Sequence, residues 1–411
     1  MDIFSKQRVD TITHAKSEVG FANNISYSEV EAYGPPCSPL GFPAPHVIRS
    51  EIVPVICYDN SKCIWKEGNA IIHREDGDAN QPEIAYMLTS LVLKKTICGE
   101  IIKGVILRRP HTTLKFDSPI PEYRNGNLWE MTAQYVAVKV DRRKTMEHIH
   151  QKTKQRNPEN PWKEVAAMQL LGNSHPNVIG LLGAFMDGQY LYEVMRFCPN
   201  GTLSLLIRQY PTGVAEHKAR DLFLDILSGV QYIHAHGVCH HDISTDNVML
   251  DAEGKCFIID FGMCLRIPYS YPDDPSGTTD DVTDITFGAH RRLMHCQNHC
   301  GKLRFMAPEI YQMEPEFDGY ATDVWSLGVV LFVLLTGRQP YERPEEKDAG
   351  YHDLIDPHFY WSSEIDPCLS WGHGMSHAAV DLLRHLLHPD PRKRATLRLI
   401  LNHEWLVEST H

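Results

Sequence analysis

The run Cys239-His240-His241-Asp242-Ile243-Ser244-Thr245-Asp246-Asn247, with Asp260-Phe261-Gly262 following it, constrains this chain more than any other stretch. Asp242, Asn247 and Asp260 supply two carboxylates and a carboxamide. Phosphoryl transfer requires that set: a base for an incoming hydroxyl, and two oxygen ligands for a magnesium ion carried by a nucleotide. Between them, Val248-Met249-Leu250 and Cys256-Phe257-Ile258-Ile259 read as short apolar strands around the turn Asp251-Ala252-Glu253-Gly254. A hairpin there brings Asn247 and Asp260 to one end of a sheet.

Other segments follow in a fixed order. Tyr135-Val136-Ala137-Val138-Lys139-Val140 alternates as a strand with a single lysine, and Pro161-Trp162-Lys163-Glu164-Val165-Ala166-Ala167-Met168-Gln169-Leu170-Leu171 has helical apolar spacing with Glu164 on its inner face. Downstream stand Met306-Ala307-Pro308-Glu309, then Asp323-Val324-Trp325-Ser326-Leu327-Gly328 opening an apolar helix, then Asp390-Pro391-Arg392-Lys393-Arg394. Residues 215–235 carry helix-spaced Leu222, Leu224, Ile226, Leu227, Val230 and Ile233.

Taken together, these segments resemble the eukaryotic protein kinases, which write V-A-I-K, H-R-D-L-x-x-x-N, D-F-G and A-P-E in this order. The resemblance covers roughly residues 86–408 and implies an α+β bilobal fold, with a small β-rich N-lobe over about 86–195 and a larger α-helical C-lobe over about 199–408. It implies ATP and magnesium as cofactors and a protein Ser or Thr hydroxyl as acceptor. Asp242 is then the catalytic base, Asn247 and Asp260 the metal ligands, and Lys139 paired with Glu164 the holder of the phosphates. Ala137 and Met249 bracket the adenine, Met195 is the gatekeeper, and Arg196-Phe197-Cys198 is the hinge. Met168, Leu181, His240 and Phe261 form a stacked spine, in which His240 packs and does no chemistry. Glu309 and Arg394 form a buried ion pair. The alternative is a pseudokinase, a noncatalytic scaffold or regulator.

Three departures from the family pattern are specific to this chain. The glycine-rich loop is matched by Cys98-Gly99-Glu100-Ile101-Ile102-Lys103-Gly104-Val105-Ile106, with Gly99 and Gly104 retained and Ile101 at the middle glycine. A β-branched residue there loosens the grip on phosphate. Ser244 replaces the lysine that neutralises the transferring phosphate, while Lys302 stands where the family has a threonine, in Gly301-Lys302-Leu303-Arg304-Phe305. Either the two have exchanged roles, with Lys302 reaching toward Asp242, or Lys302 faces solvent. His241 replaces the arginine that receives an activation-loop phosphate. A histidine, with a reference pKa of about 6.5, is mostly neutral at cytosolic pH, so activation by loop phosphorylation is disfavoured.

The stretch between Asp260 and Glu309 is about fifty residues long, with Ser276, Thr278, Thr279, Thr283 and Thr286 among Asp273, Asp274, Asp280, Asp281 and Asp284. It reads as an exposed regulatory flap or as an insertion. His290, His295, Cys296, His299 and Cys300 invite a zinc reading, but their spacing matches no compact module and ordinary thiols are the better expectation.

The 411 residues, 43% of them hydrophobic, suffice for two lobes and an extension. A net charge of -12 argues against nonspecific nucleic-acid binding. Eleven cysteines without framework spacing fit free thiols in a reducing compartment, cytoplasmic or nuclear. The start of the chain lacks an apolar signal core, and the longest apolar run, 327–335, is too short to span a bilayer. Residues 1–85 form an extension, with Ile52-Val53-Pro54-Val55-Ile56, Cys63-Ile64-Trp65 and Ala70-Ile71-Ile72 as strands of a small appended sheet. Docking on the small lobe, autoinhibition and disorder all remain open for it. Residues 109–132 read as a surface loop.

Overall fold

The computed structural model describes residues 42–59, 61–62, 64–73, 84–110, 128–152, 160–270, 282–286, 289–296, 299–356 and 375–407. Alternating apolar residues build seven strands in the N-terminal half: β1 (Ile48–Asp59), β2 (Ile64–His73), β3 (Ile84–Lys95), β4 (Gly99–Arg108), β5 (Leu128–Arg142), β6 (Leu181–Met186) and β7 (Tyr190–Arg196). They close into a barrel in the order β1-β2-β3-β4-β5-β7-β6, and β1 also pairs with β5. Closure depends on two parallel pairings of β1, Ile56 to Asp59 against Leu128 to Met131 of β5 and Ile48-Arg49 against Phe185-Met186 of β6. The extension therefore does not make an appended sheet. Its strands complete the N-lobe itself, because the edge that β5 and β6 leave unpaired is satisfied by β1. Trp129, Leu107, Ala70 and Cys57 fill the barrel interior, none of them exposed.

Helices α1 (Arg143–Lys152) and α2 (Pro161–Leu171) follow β5. The start of α2 is set by local chemistry. Asn160 accepts N–H bonds from Trp162 and Lys163, and Pro161 occupies the first turn, where its missing N–H costs nothing. In the C-lobe, α3 (Leu203–Ile207) and α4 (Glu216–Ala235) precede β8 (Val238–Cys239), β9 (Val248–Leu250), β10 (Cys256–Ile258) and β11 (Leu265–Arg266). The expected hairpin is β9-β10, with Val248 opposite Ile258 and the turn closed by Gly254 at φ 82°.

Within the long stretch before Glu309, β12 (Tyr269–Ser270), β13 (Val282–Thr286) and β14 (Ala289–Arg292) form a three-stranded sheet. Arg291 ties it to Asp318 at 2.8 Å. Ser276, Thr278, Thr279 and the aspartates at 273, 274, 280 and 281 lie outside the described residues.

The chain then forms α5 (Pro308–Tyr311), α6 (Gly319–Thr336), α7 (Ala349–Ile355), α8 (His377–Leu386), α9 (Leu397–Leu401) and α10 (Glu404–Val407). One helix among the described residues, α6, is long and apolar enough to cross a membrane, and 89% of that stretch is buried inside the protein. It is the axis of the large core, with Trp325, Leu327, Val329, Val330, Leu331 and Leu334 fully buried.

The Glu309–Arg394 pair forms as expected. Nη1 and Nη2 of Arg394 reach the two carboxylate oxygens at 2.7 and 3.0 Å, and the remaining donors find the carbonyls of Ala321, His388 and Pro389. Removing one partner strands the other charge. Arg394→Met is expected to lower unfolding free energy by about 3–5 kcal/mol, read from the denaturant midpoint.

Candidate active site

Lys139 lies on β5, 7% exposed, and its ammonium is 2.5 Å from Glu164 of α2. Asp141, on the same face of β5, is 3.9 Å away. Glu193 of β7 is the direct cross-strand neighbour of Lys139. It is fully buried, and neither of its carboxylate oxygens has a hydrogen-bond partner.

Four carboxylates, those of Glu164, Glu193, Asp141 and Asp260, thus surround one ammonium. Burial acts to lower the Lys139 pKa, but these charges, Glu164 foremost, overcome it and hold the ammonium well above its ordinary range. Burial pushes Glu164 up to about 7, with Lys139 opposing. Burial, reinforced by Glu164, raises Glu193 well above a normal carboxylate. Glu164 has the ammonium as a partner that favours its ionised form, whereas Glu193 has no donor and its burial favours the protonated form.

The second half of the site is built by the catalytic loop. Asn247 Nδ2 donates to Asp242 twice, to the carbonyl at 2.8 Å and to Oδ2 at 2.7 Å. Asp242 Oδ1 accepts the Lys302 backbone N–H at 3.0 Å. Lys302 Nζ donates to Ser244 Oγ at 2.8 Å and to Asn247 Oδ1 at 3.2 Å, and stands 4.0 Å from Asp242 Oδ2. The exchange expected from the sequence is therefore a contact: the lysine from the distant segment occupies the catalytic loop, and the buried Ser244 hydroxyl anchors it.

Burial raises the Asp242 carboxyl, which makes it a better proton acceptor, with Lys302 pulling the other way. Asp260 has φ 68° and makes no hydrogen bond or ion pair among the described residues. Its carboxylate and Asn247 Oδ1 are the hard oxygen donors that a divalent cation prefers.

Residues 128–406 match the model of the protein kinase domain. The chain belongs to the protein kinase domain family. It is 34% identical over 248 residues to CBL-interacting protein kinase 25 of Oryza sativa subsp. japonica, covering 59% of this chain and 41% of that protein. It is 31% identical to serine/threonine-protein kinase CHK1 of Saccharomyces cerevisiae, covering 60% and 42%. Aurora kinase of Dictyostelium discoideum is 28% identical, covering 58% and 52%. The chain thus spans about two fifths to one half of the length of these relatives. Strands β1 to β4 precede the matched region.

Several of the positions named from the sequence lie close to one another. Ala137 is the cross-strand partner of Met195, and Leu181 pairs with Met195 from the other side. Met195 and Met249 pack at the margin of the large core, which contains Met168 and Phe261. His240 is fully buried, 5.1 Å from the Phe261 ring, with Nε2 on the Ile259 carbonyl, so its role is packing. Phe197 shares the Lys103 ammonium with Tyr135, and Cys198 is buried, its thiol raised to about 11 by that burial.

The glycine-rich loop lies elsewhere than the sequence suggested. The turn between β3 and β4 is Thr96-Ile97-Cys98, closed by Thr96 N–H on the Gly99 carbonyl and Gly99 N–H on Thr96 Oγ1, each 2.9 Å. Gly99 and Gly104 both lie along β4, opposite Asp141 and Val136. A Cβ at Gly99 would fall 1.8 Å from the Val140 carbonyl oxygen, and one at Gly104 2.8 Å from a Val136 methyl. Both glycines serve close strand packing, and Ile101 is a strand residue opposite Lys139.

His241 is buried at φ 65°, with burial lowering its pKa to about 4, so it is neutral and carries no charge for a phosphate. Cys300 is a half-buried free thiol, pushed up to about 11 by desolvation. The side chain of His290 lies outside the described residues. Among those residues, the one set of three converging metal-type ligands is Asp381, His385 and His403. The backbone N–H of Trp405 donates to His403 Nδ1, His403 Nε2 meets Asp381 Oδ2 at 3.1 Å and His385 Nδ1 faces the Asp381 carbonyl, a hydrogen-bonded clip between α8 and the segment before α10.

The sequence reading missed Glu193 and Asp141. Alternation along β7 was the available signal, since it puts Glu193 on the same face as the fully buried Leu191. Glu193→Met is expected to raise stability at pH 7 by about 1–3 kcal/mol, because it removes a buried carboxyl without a partner. The native state keeps a Glu193 proton that the unfolded chain releases above a pKa of about 4.3, so wild-type stability falls as pH rises from there through the raised native value. Denaturant unfolding from pH 4 to 9 checks this, and the variant should lack that part of the slope.

Proposed function

We propose that this protein transfers the γ-phosphate of ATP to Ser or Thr hydroxyls of protein substrates, with Lys302 in place of the catalytic-loop lysine common in the family. The 2.8 Å contact between Lys302 Nζ and Ser244 Oγ, beside Asp242, carries the reading. A dead scaffold has no need to rebuild a lost cation from another segment. The Ser/Thr preference draws on the relatives whose names carry that specificity.

Asp242 accepts the substrate hydroxyl proton as the oxygen attacks Pγ, and the bond from Pγ to the β,γ-bridging oxygen breaks, leaving ADP. Lys139, held by Glu164, carries the α- and β-phosphates. Lys302 places a cation where charge grows on the transferring group. Asn247 and Asp260 would hold magnesium. The Asn247 carboxamide suits this because its Nδ2 is committed to Asp242, which fixes the direction of Oδ1, and the Oδ1 contact that Lys302 Nζ makes at 3.2 Å would pass to magnesium. Magnesium, when bound, neutralises phosphate oxygen charge. Eight cysteines among the described residues are free, which supports a reducing, intracellular location.

Transfer from labelled ATP to a mixed protein substrate, followed by phosphoamino-acid analysis, tests the activity. Phosphoserine or phosphothreonine is expected, and none with Asp242→Asn; no transfer above that control would leave the scaffold reading. Lys302→Ala is expected to lower kcat roughly 10²-fold with Ser244 intact. The double exchange Ser244→Lys with Lys302→Thr should recover most of that loss, since it returns the cation to the loop. Unchanged activity in Lys302→Ala would remove Lys302 from the mechanism.

A further inference from the structure

The outer face of α2 carries a contact that phosphoryl transfer does not use. Gln169, exposed on the helix that bears Glu164, accepts the His46 backbone N–H on Oε1 at 2.8 Å and donates from Nε2 to the His46 carbonyl at 2.5 Å. One carboxamide thus takes both backbone groups of a residue 123 positions away. The next residue, Val47, packs on the cluster of Met146, Val165, Ala184 and Leu191, which joins α1, α2, β6 and β7. Ile48 and Arg49 then pair in parallel with Phe185 and Met186, and β1 runs on to close the barrel. The segment 46–49 is therefore fastened at one end to the Glu164 helix and at the other to the sheet that carries Lys139.

The electrostatics of the site make such a fastening useful. Lys139 has a second carboxylate in Asp141 at 3.9 Å, so loss of Glu164 would not leave the ammonium without counter-charge. The ion pair alone is then a weak restraint on a helix packed over a sheet edge, which is the kind of element that shifts between two positions. A contact on the far side of the helix has to supply the rest.

We propose that residues 46–49 are an intramolecular strap that holds the Glu164 helix against the sheet, with Gln169 as the positioning residue through which the strap acts. This rests on the reading of Lys139 and Glu164 as the phosphate-holding pair. The contact on this side of α2 comes from the chain's own segment, so the strap needs no second protein.

The test uses the full chain and follows the Kd for magnesium-ATP alongside KM and kcat. Gln169→Ala removes an exposed side chain and is expected to fold with a melting temperature within about 2 °C of wild type. It should weaken ATP binding and raise KM by about 5–10-fold, the scale of one lost pair of positioning hydrogen bonds, and speed hydrogen exchange across 161–171. In a Glu164→Gln background the same change should cost less than about twofold, because nothing remains for the strap to position. Equal losses in both backgrounds, or no loss in either, would overturn the strap. Lys139→Met separates the two readings: wild-type ATP affinity and turnover in that variant would remove the phosphate-holding pair itself, whereas their loss together with an inert Gln169→Ala would remove only the strap.

Discussion

The Asp323 carboxylate, in the N-terminal part of α6 and 1% exposed, holds the catalytic loop in the conformation that sets the rest of the site. Its two oxygens accept the backbone N–H groups of His240 and His241 at 2.8 Å each, and Oδ2 also meets His234 Nε2 at 2.8 Å. Burial alone would raise its pKa, but the His234 bond and its neighbours outweigh this and lower it, so it remains ionised. Hydrogen bonds to a charged acceptor are worth about 1.5–3 kcal/mol each. They offset the cost of holding His241 at φ 65°, about 1–2 kcal/mol for a residue with a Cβ in the left-handed region. The forced turn presents Asp242 to the cleft, and Gly301, at φ 85° with the His241 carbonyl 2.9 Å from where its Cβ would lie, lets the incoming segment approach closely enough for Lys302 to reach the loop.

The N-lobe works by a different balance. Its lysine is crowded by carboxylates, so position there is a matter of which acceptor wins. Glu164 wins because α2 is pinned on both faces, by Lys139 inside and by the His46 backbone outside. The barrel closure by β1 supports that pinning, since the strap is the start of the same strand that seals β5 and β6. A neutral Glu193 behind the lysine fills space without competing.

Much of the site was legible along the chain. Motif order pointed to the hairpin that carries Asn247 and Asp260, the helix with Glu164 and the buried Glu309–Arg394 pair, and the departures from the motif pointed to the approach of Lys302 to the Asp242 loop. The glycine loop was misread because spacing does not tell a glycine that turns a hairpin from one that admits a close neighbouring strand. The actual turn, Thr96-Ile97-Cys98, holds no glycine and draws its closure from the Thr96 hydroxyl. Glu193 was passed over because a charged residue in a strand is usually solvated.

Which groups are present and which local elements bear them follows from residues close in the chain, since helix caps, strand alternation and turns are local. Local sequence therefore specified Asp242, Asn247, Asp260, Lys139 and Glu164, and the kinase-domain order in which they occur. The parallel pairing of β1 with β5 and β6, the grip of Gln169 on His46 and the choice by Lys139 of Glu164 over Asp141 came from the packing of distant segments. Those outcomes rest on burial and unpaired backbone groups brought together from distant segments, which no local pattern encodes.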